Sequence, residues 1–177
     1  MAVSQPAPTP INDLPAGTWR VDPKASKLTF SSRGMFGLAP VHGTFRAYEG
    51  ELEIDGAGTR GELRIQATTL DTKNDKRDKH LRSADFFHVT EHPTVTFSLL
   101  ELMPSSNGAL DLTGTLQIRD NQLRIQAPVH ASQPAADRLR LDTKVSVDRT
   151  AAGVGWSKIG MIKGKAHLGA SILLVRS

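Results

Sequence analysis

Residues 110–129 read LDLTGTLQIRDNQLRIQAPV, and apolar or small side chains occupy every second position on both sides of Asp120-Asn121-Gln122. Successive side chains of a β-strand point to opposite faces, so alternation with period two is typical of strands that have one buried face. A connection this short joins strands that run antiparallel. The stretch therefore predicts two neighbouring antiparallel strands with one apolar face each.

The same alternation recurs along the chain, in residues 28–32, 63–67, 95–99, 139–147 and 166–174. Further turn signals stand at residues 55–58 and 104–108. About eight half-polar strands can cover their apolar faces by closing into a barrel, which also removes exposed edges. The sequence predicts an all-β fold, an antiparallel eight-stranded barrel, with a two-sheet sandwich as the competing architecture. The phase of the alternation changes between Phe45 and Ile54, which predicts a bulge or bend near Glu49-Gly50.

One segment breaks the strand pattern. Residues 71–83, DTKNDKRDKHLRS, show no period-two alternation, and Asn74 or Asp75 can cap a short helix. We expect a helical insert near residues 74–83 that plugs or covers one end of the barrel.

Length and composition fit one soluble globular domain. The 177 residues are 38% hydrophobic and 23% charged, and no apolar run approaches the roughly 18 residues that a transmembrane helix needs. Residues 1–16, with four prolines, predict a flexible leader before a domain at 17–177; the leader lacks a signal-peptide pattern, so the expected location is cytoplasmic. The net charge of +4 is dispersed, so we expect no nucleic-acid partner. The chain has no cysteine, which excludes disulfides and thiolate metal sites.

The charged segment contains two possible metal-binding motifs. His88-Val89-Thr90-Glu91-His92 matches the H-x-x-E-H zinc motif, but that motif needs a helix, and Val89, Thr90 and the following Pro93 disfavour one. A calcium loop starting at Asp71 would need glycine at its sixth position and glutamate at its twelfth, where Lys76 and Arg82 stand. We therefore expect no bound metal.

An acid–base site is the remaining catalytic alternative: a small hydrolase or isomerase at the barrel mouth, built on Asp78, His80 and Asp85. No nucleophile, metal set or phosphate loop accompanies these residues. The interpretation that we favour is a salt-bridged structural corner, and we expect no enzymatic activity and no catalytic residues.

Five segments of the chain form a recognisable set of motifs. The longest is LDTKNDKRDKHLRSADFFHVTEHPTVTF at residues 70–97. It is accompanied by WRVDPKASKLTF at 19–30, VHGTF at 41–45, LTGTLQIRD at 112–120 and VDRTAAGVGW at 147–156. Together these segments resemble the YceI-like family, and the resemblance covers residues 19–175. It departs from the family pattern at Gly34, at His88 and at the turn 120–122, which leaves the ligand's head group open.

The resemblance implies a lipocalin-like, extended β-barrel that holds a long apolar molecule for transport, storage or sensing. The implied ligand is a polyisoprenoid, an isoprenoid quinone or a fatty acid or amide, with no other cofactor. A homodimer stays open as an alternative.

Inward-facing apolar residues are the candidates for lining the ligand site. They are Phe30, Phe36, Phe45, Leu63, Ile65, Phe86, Phe87, Phe97, Leu116, Ile118, Val145, Trp156, Met161 and Ile162. Trp156, Met161 and Ile162 lie in a glycine-rich segment and are expected at the mouth. The candidates for meeting a polar head group are Arg33, Arg77, His80, Arg82 and Asp85.

Overall fold

The computed structural model describes residues 13–33, 40–154 and 164–177. Within these ranges it has eleven strands and one α-helix. The strands are β1 (Gly17–Val21), β2 (Lys27–Arg33), β3 (Pro40–Phe45), β4 (Tyr48–Asp55), β5 (Gly58–Gln66), β6 (Leu70–Asp71), β7 (Thr94–Pro104), β8 (Leu110–Ile118), β9 (Asn121–Ala135), β10 (Arg138–Asp148) and β11 (Lys165–Arg176), and the helix is α1 (Asp75–Arg82).

The eleven strands form a closed antiparallel barrel with eight strand positions in its wall. Three of these positions are each made of two shorter strands, and the other five are each made of one. β1 and β2 both pair with β11, at Arg20↔Val175 and Phe30↔Leu168, and together make one wall position. β3 and β4 make the next, and β5 and β6, separated by a 3-10 turn at Ala67–Thr69, make the third. From β7 to β11 each strand pairs with its successor. The predicted eight-stranded barrel is confirmed.

The turns follow the predicted positions. Asp55 Oδ1 accepts hydrogen bonds from the backbone N–H of Ala57 and Gly58, which closes the β4–β5 hairpin. β7 and β8 pair up to Pro104↔Leu110, and β8 and β9 pair up to Ile118↔Asn121. The loops of these hairpins are therefore short, and strands that follow one another along the chain lie next to each other in the barrel wall.

The predicted bulge near Glu49-Gly50 is wrong. Pairing of β4 with β5 continues without interruption from Tyr48↔Ile65 to Asp55↔Gly58. The change of phase occurs earlier, at Arg46-Ala47 between β3 and β4, where Thr69 Oγ1 accepts hydrogen bonds from both backbone N–H groups. The Thr69 hydroxyl thus takes the place of the backbone acceptors that a neighbouring strand would supply. The chain can therefore bend at Arg46-Ala47, and it does not bend at Gly50.

The predicted helical insert is confirmed as α1. Asn74 is its N-cap: the side-chain oxygen accepts a hydrogen bond from Arg77 N at 2.9 Å. Asp75 and Asp78 occupy the first turn, where negative charge stabilises the helix. The helix lies at the end of the barrel that also carries Phe86-Phe87, the β8–β9 turn and residues 148–154; this is called the α1 end.

The opposite end is filled by the protein's own side chains and is called the closed end. Its most deeply buried residues include Trp19, Leu110, Val129, Leu139 and Leu174. Trp19 also donates its indole N–H to Pro15 O and lies under the guanidinium of Arg176. No helix among the described residues is long and apolar enough to cross a membrane.

Candidate functional site

An apolar cavity of about 270 Å³ lies inside the barrel. It runs from Leu52 and Leu174 near the closed end to Leu81, Phe86 and Val154 at the α1 end. Nearly all of its lining side chains are hydrocarbon, contributed by strands from every part of the wall. An empty apolar volume in an eight-stranded barrel is the geometry that holds one slender apolar ligand.

Two glycines leave room for aromatic rings that border the cavity. A Cβ at Gly43 would stand 2.3 Å from Cζ of Phe30 on the paired strand, and a Cβ at Gly114 would stand 2.4 Å from Cζ of Phe97. Each ring thus occupies the space of the missing side chain. With any larger residue at either position, the ring would have to shift from its place at the cavity wall.

The Phe30 ring begins a row of aromatic contacts that leads to the α1 end. Phe30 and Phe45 have ring centroids 5.3 Å apart, and Phe45 meets Phe87 edge-on at 6.0 Å. This row gives one side of the cavity a continuous aromatic surface. Such a surface suits a hydrocarbon chain or an isoprenoid, whose methyl groups and double bonds pack against ring faces.

The structure brings together ten of the fourteen residues predicted to line the ligand site. All ten border the cavity: Phe30, Phe45, Leu63, Ile65, Phe86, Phe87, Phe97, Leu116, Ile118 and Val145. Phe36, Trp156, Met161 and Ile162 lie outside the described residues. Contact of the ten with a ligand stays a prediction.

None of the five predicted head-group residues borders this cavity. Arg77 donates Nε–H to Thr72 Oγ1 and an Nη2–H to Thr72 O, and Arg82 donates an Nη2–H to Leu70 O at 2.6 Å. Both arginines therefore hold α1 against the chain that precedes it. Arg33 ends β2 with an exposed side chain.

The proposed acid–base trio is divided between two separate contacts. Asp78 is buried, and its Oδ1 accepts hydrogen bonds from Thr72 N at 2.9 Å and Thr72 Oγ1 at 2.6 Å. His80 instead pairs with Asp85, with 2.9 Å between Nε2 and Oδ2, and its ring meets Phe86 edge-on. Asp78 is thus a structural acceptor beneath the helix. This geometry supports the interpretation of the segment as a braced corner.

The histidines of the H-x-x-E-H motif flank a turn at residues 89–91 and do not lie on a helix. His88 has a positive φ of 48°, and its ring centroid is 5.8 Å from that of His92. Among the described residues no group of three or more His, Asp or Glu side chains is placed to hold a metal ion.

Sequence reasoning missed two arginines at the α1 end. Arg119, with φ of 56°, donates Nη1–H to the carbonyls of Ala84, Phe86 and Gly153 and so ties the Phe86-Phe87 corner to the turn after β10. Arg149 borders the cavity itself. Alternation assigned Arg119 to the outer face, and it cannot follow a side chain that leaves the strand at a turn.

Comparisons with known proteins agree with this architecture. The family model described as YceI-like domain matches residues 19–173. A "UPF0312 protein" of Azotobacter vinelandii is 33% identical over 85 residues, 46% of this chain and 44% of the relative. "Protein YceI" of Shigella flexneri is 35% identical over 85 residues, with the same shares. The alignments thus span less than half the length of these curated relatives.

Two solved structures share the fold. BcnA of Burkholderia cenocepacia superposes with a TM-score of 0.77 at 21% identity, covering 86% of this chain and 98% of BcnA. A polyisoprenoid binding domain from Saccharophagus degradans, implicated in plant cell wall breakdown, superposes with a TM-score of 0.71 at 15% identity, covering 92% of this chain and all of that domain. At these identities the likeness shows the fold alone.

Proposed function

The chain belongs to the YceI-like family, and on that premise we propose that it binds one long-chain apolar molecule inside the barrel. The ligand class is a polyisoprenoid, an isoprenoid quinone or a fatty acyl or amide chain. The observation that carries the proposal is the apolar cavity of about 270 Å³, which is bordered by the rings of Phe30 and Phe97 where they lie over Gly43 and Gly114.

Tight binding of such a ligand does not require hydrogen bonds along its chain, because burial of the chain supplies the free energy. Burial of each methylene contributes about 0.8 kcal/mol. Ten methylenes therefore contribute about 8 kcal/mol, against an association cost of at least about 4 kcal/mol. A flexible single chain can supply this burial in a bore only wide enough for one slender molecule. Selectivity would then depend on chain length and on polar groups at the end of the bore.

The Saccharophagus domain supports the proposal, because its name states polyisoprenoid binding and its barrel superposes on nearly all of this chain. Binding is favoured over catalysis by the placement of the charged residues. Asp78 is engaged by Thr72, and the cavity wall is almost entirely hydrocarbon. A ligand in that cavity would meet few groups able to transfer a proton.

Native mass spectrometry with organic extraction tests the proposal. The purified protein is offered palmitic acid, farnesol and decylubiquinone, and the expected result is an adduct of one molecule per chain for at least one of them, or the same class of molecule in the extract. The proposal fails if mild purification yields a protein without bound lipid that takes up none of the three probes.

A His80→Ala variant separates binding from the enzymatic alternative. Its side chain does not border the cavity, so probe uptake should equal that of the unmodified protein. Chemical conversion of a bound probe that disappears in this variant would favour the hydrolase or isomerase alternative.

A further inference from the structure

Arg149 places a charged side chain on the border of the apolar cavity. It directly follows β10, and its backbone is held on both sides, since Arg149 N–H donates to Gly164 O at 3.2 Å and Arg149 O accepts from Val154 N–H at 3.1 Å. The half-buried side chain borders the cavity beside Ala152 and Val154. The residue is therefore a fixed part of the α1 end of the bore.

Among the described residues, no carboxylate forms an ion pair with Arg149. Its one acceptor among the described residues is Arg33 O, 3.2 Å from Nη1, and no described Asp or Glu lies within ion-pair distance. The three stretches outside the described residues, 1–12, 34–39 and 155–163, contain neither Asp nor Glu. A guanidinium has five N–H donors, so most of its hydrogen-bonding capacity has no acceptor in the described part of the chain.

The other two charged residues that border the cavity differ in this respect. Glu51 pairs with Arg20 at 3.1 Å and Glu62 pairs with Arg64 at 2.6 Å, both with largely exposed side chains. Arg149 combines burial with the absence of a carboxylate partner. Burial lowers the pKa of Arg149, which is the sign of a charge that has lost water without gaining an anion.

We propose that Arg149 binds an anionic head group of the ligand, which makes the ligand class an acidic amphiphile: one apolar chain that ends in a carboxylate or a phosphate. This inference rests on the proposed function. The planar fork of a guanidinium matches both oxyanions through paired hydrogen bonds. The hydroxyl of Ser32, which also borders the cavity next to Arg33, supplies a further donor.

The shape of the barrel sets the orientation of such a ligand. The closed end is filled by Trp19, Leu139 and their neighbours, and Arg176, whose guanidinium lies over the Trp19 ring, does not border the cavity. The apolar tail therefore points toward the closed end and the head group stays beside Arg149. Charge at the α1 end then selects the ligand by its head, whereas the bore selects it by its chain.

The test compares probes that differ only in the head group. Palmitate, hexadecanol and hexadecylamine share one chain length, and farnesyl phosphate and farnesol form a second pair. In titrations at pH 8, the acid should bind most tightly, the alcohol less tightly and the amine least. Because charge-assisted hydrogen bonds are stronger than neutral ones, palmitate should bind more tightly than hexadecanol by about tenfold or more. The larger of the two acid-to-alcohol ratios, palmitate over hexadecanol or farnesyl phosphate over farnesol, identifies whether the natural head is a carboxylate or a phosphate.

Substitution of the arginine locates the effect. In Arg149→Gln the acid-to-alcohol ratio should fall to near one while hexadecanol affinity is kept, and Arg149→Lys should retain part of the preference. Arg124→Gln, at an exposed arginine on β9, is the matched control and should leave the ratio unchanged. If Arg149→Gln fails to fold, the affinities of the unmodified protein for hexadecanol and hexadecylamine test the proposal instead. Tighter binding of the alcohol than of the amine supports it, and equal or tighter binding of the amine overturns it.

The inference is overturned if the unmodified protein binds hexadecanol or hexadecylamine as tightly as palmitate and farnesol as tightly as farnesyl phosphate, or if Arg149→Gln keeps the preference. In those cases chain binding still stands, and the proposed function survives. If no probe of either series binds, both fall together.

Discussion

The ring of Phe97 on β7 lies over Gly114 on β8, so that a methyl group at Gly114 would stand 2.4 Å from the ring and 2.7 Å from Ser98 O. The backbone oxygen cannot move away as a side chain can. The ring is therefore the group that must shift. The position of the Phe97 ring at the cavity wall thus depends on the absence of a side chain at Gly114.

Gly114→Ala should consequently reduce uptake of a 16-carbon probe by about tenfold or more and destabilise the fold by about 1–3 kcal/mol, the usual cost of overpacking. Fluorescence titration and urea unfolding measure the two effects. Gly56→Ala is the matched control, since a Cβ there meets nothing within 4 Å. Unchanged uptake in Gly114→Ala would show that the Phe97 ring does not control the bore.

A charge placed inside the bore should abolish binding, whereas the same charge one residue away should not. Phe97→Glu puts a carboxylate among the hydrocarbon groups of the cavity, where an apolar chain would desolvate it. Thr96→Glu puts the carboxylate on the outer face opposite Arg64, where water and the guanidinium stabilise its charge. Probe titration of the two variants, each confirmed folded by circular dichroism, makes the comparison. Equal loss in both would mean that the inner and outer faces are assigned the wrong way round.

Removal of the Asp78 carboxylate should destabilise the corner. Asp78→Ala leaves the N–H and hydroxyl of buried Thr72 without their acceptor, at a cost of about 1–3 kcal/mol for each buried group. Urea unfolding measures the loss. Asp75→Ala is the control: it removes an exposed acid from the same helical turn and should cost about 0.3–1 kcal/mol. Equal effects would contradict the role of Asp78 as a buried acceptor.

Stability should fall in acid partly through Asp71. Hydrogen bonds from the Lys73 side chain and backbone, together with Arg46, hold the pKa of Asp71 well below its ordinary value. A carboxyl whose pKa is lower in the folded state adds stability above its unfolded pKa of about 3.9, and this stability is lost as pH falls toward the folded pKa.

Asp71→Asn should therefore flatten the decline of unfolding free energy below about pH 4. Urea unfolding between pH 3 and pH 7 provides the curve. Asp111→Asn, at an exposed aspartate on β8, should leave the slope nearer to that of the unmodified protein. An unchanged slope in Asp71→Asn would show that the Lys73 and Arg46 contacts contribute nothing in solution.

The barrel was predictable because burial on one face of a strand imposes period-two alternation. Leu116, Ile118 and Val145 were assigned inward from this pattern, and all three border the cavity. The helical insert was predictable because a polar segment with an asparagine cap cannot continue the strand pattern. The bend at Arg46-Ala47 was misplaced because its cause, Thr69, lies more than twenty residues away in the sequence.

The candidate site was less predictable at its polar end. Four of the five head-group candidates, all except Arg33, lie in the charged stretch at residues 75–93, yet Arg77 and Arg82 are engaged by Thr72 and Leu70. Arg149, which borders the cavity, stands in an ordinary turn sequence. Its partner Arg33 is 116 positions away, and no local pattern reports such a contact.

Period, turn chemistry and capping are local properties, so the sequence by itself determined the strands, their inward faces and the position of α1. Closure of the barrel decided the rest, because it joins segments that are far apart along the chain. It laid Phe97 over Gly114 and brought Arg149 to the bore. It also separated charges that are interspersed in the sequence: β9, β10, β11, β2, β3 and β6 carry eight Lys and Arg against three Asp, while β1, β4, β5, β7 and β8 carry seven acids against three Arg.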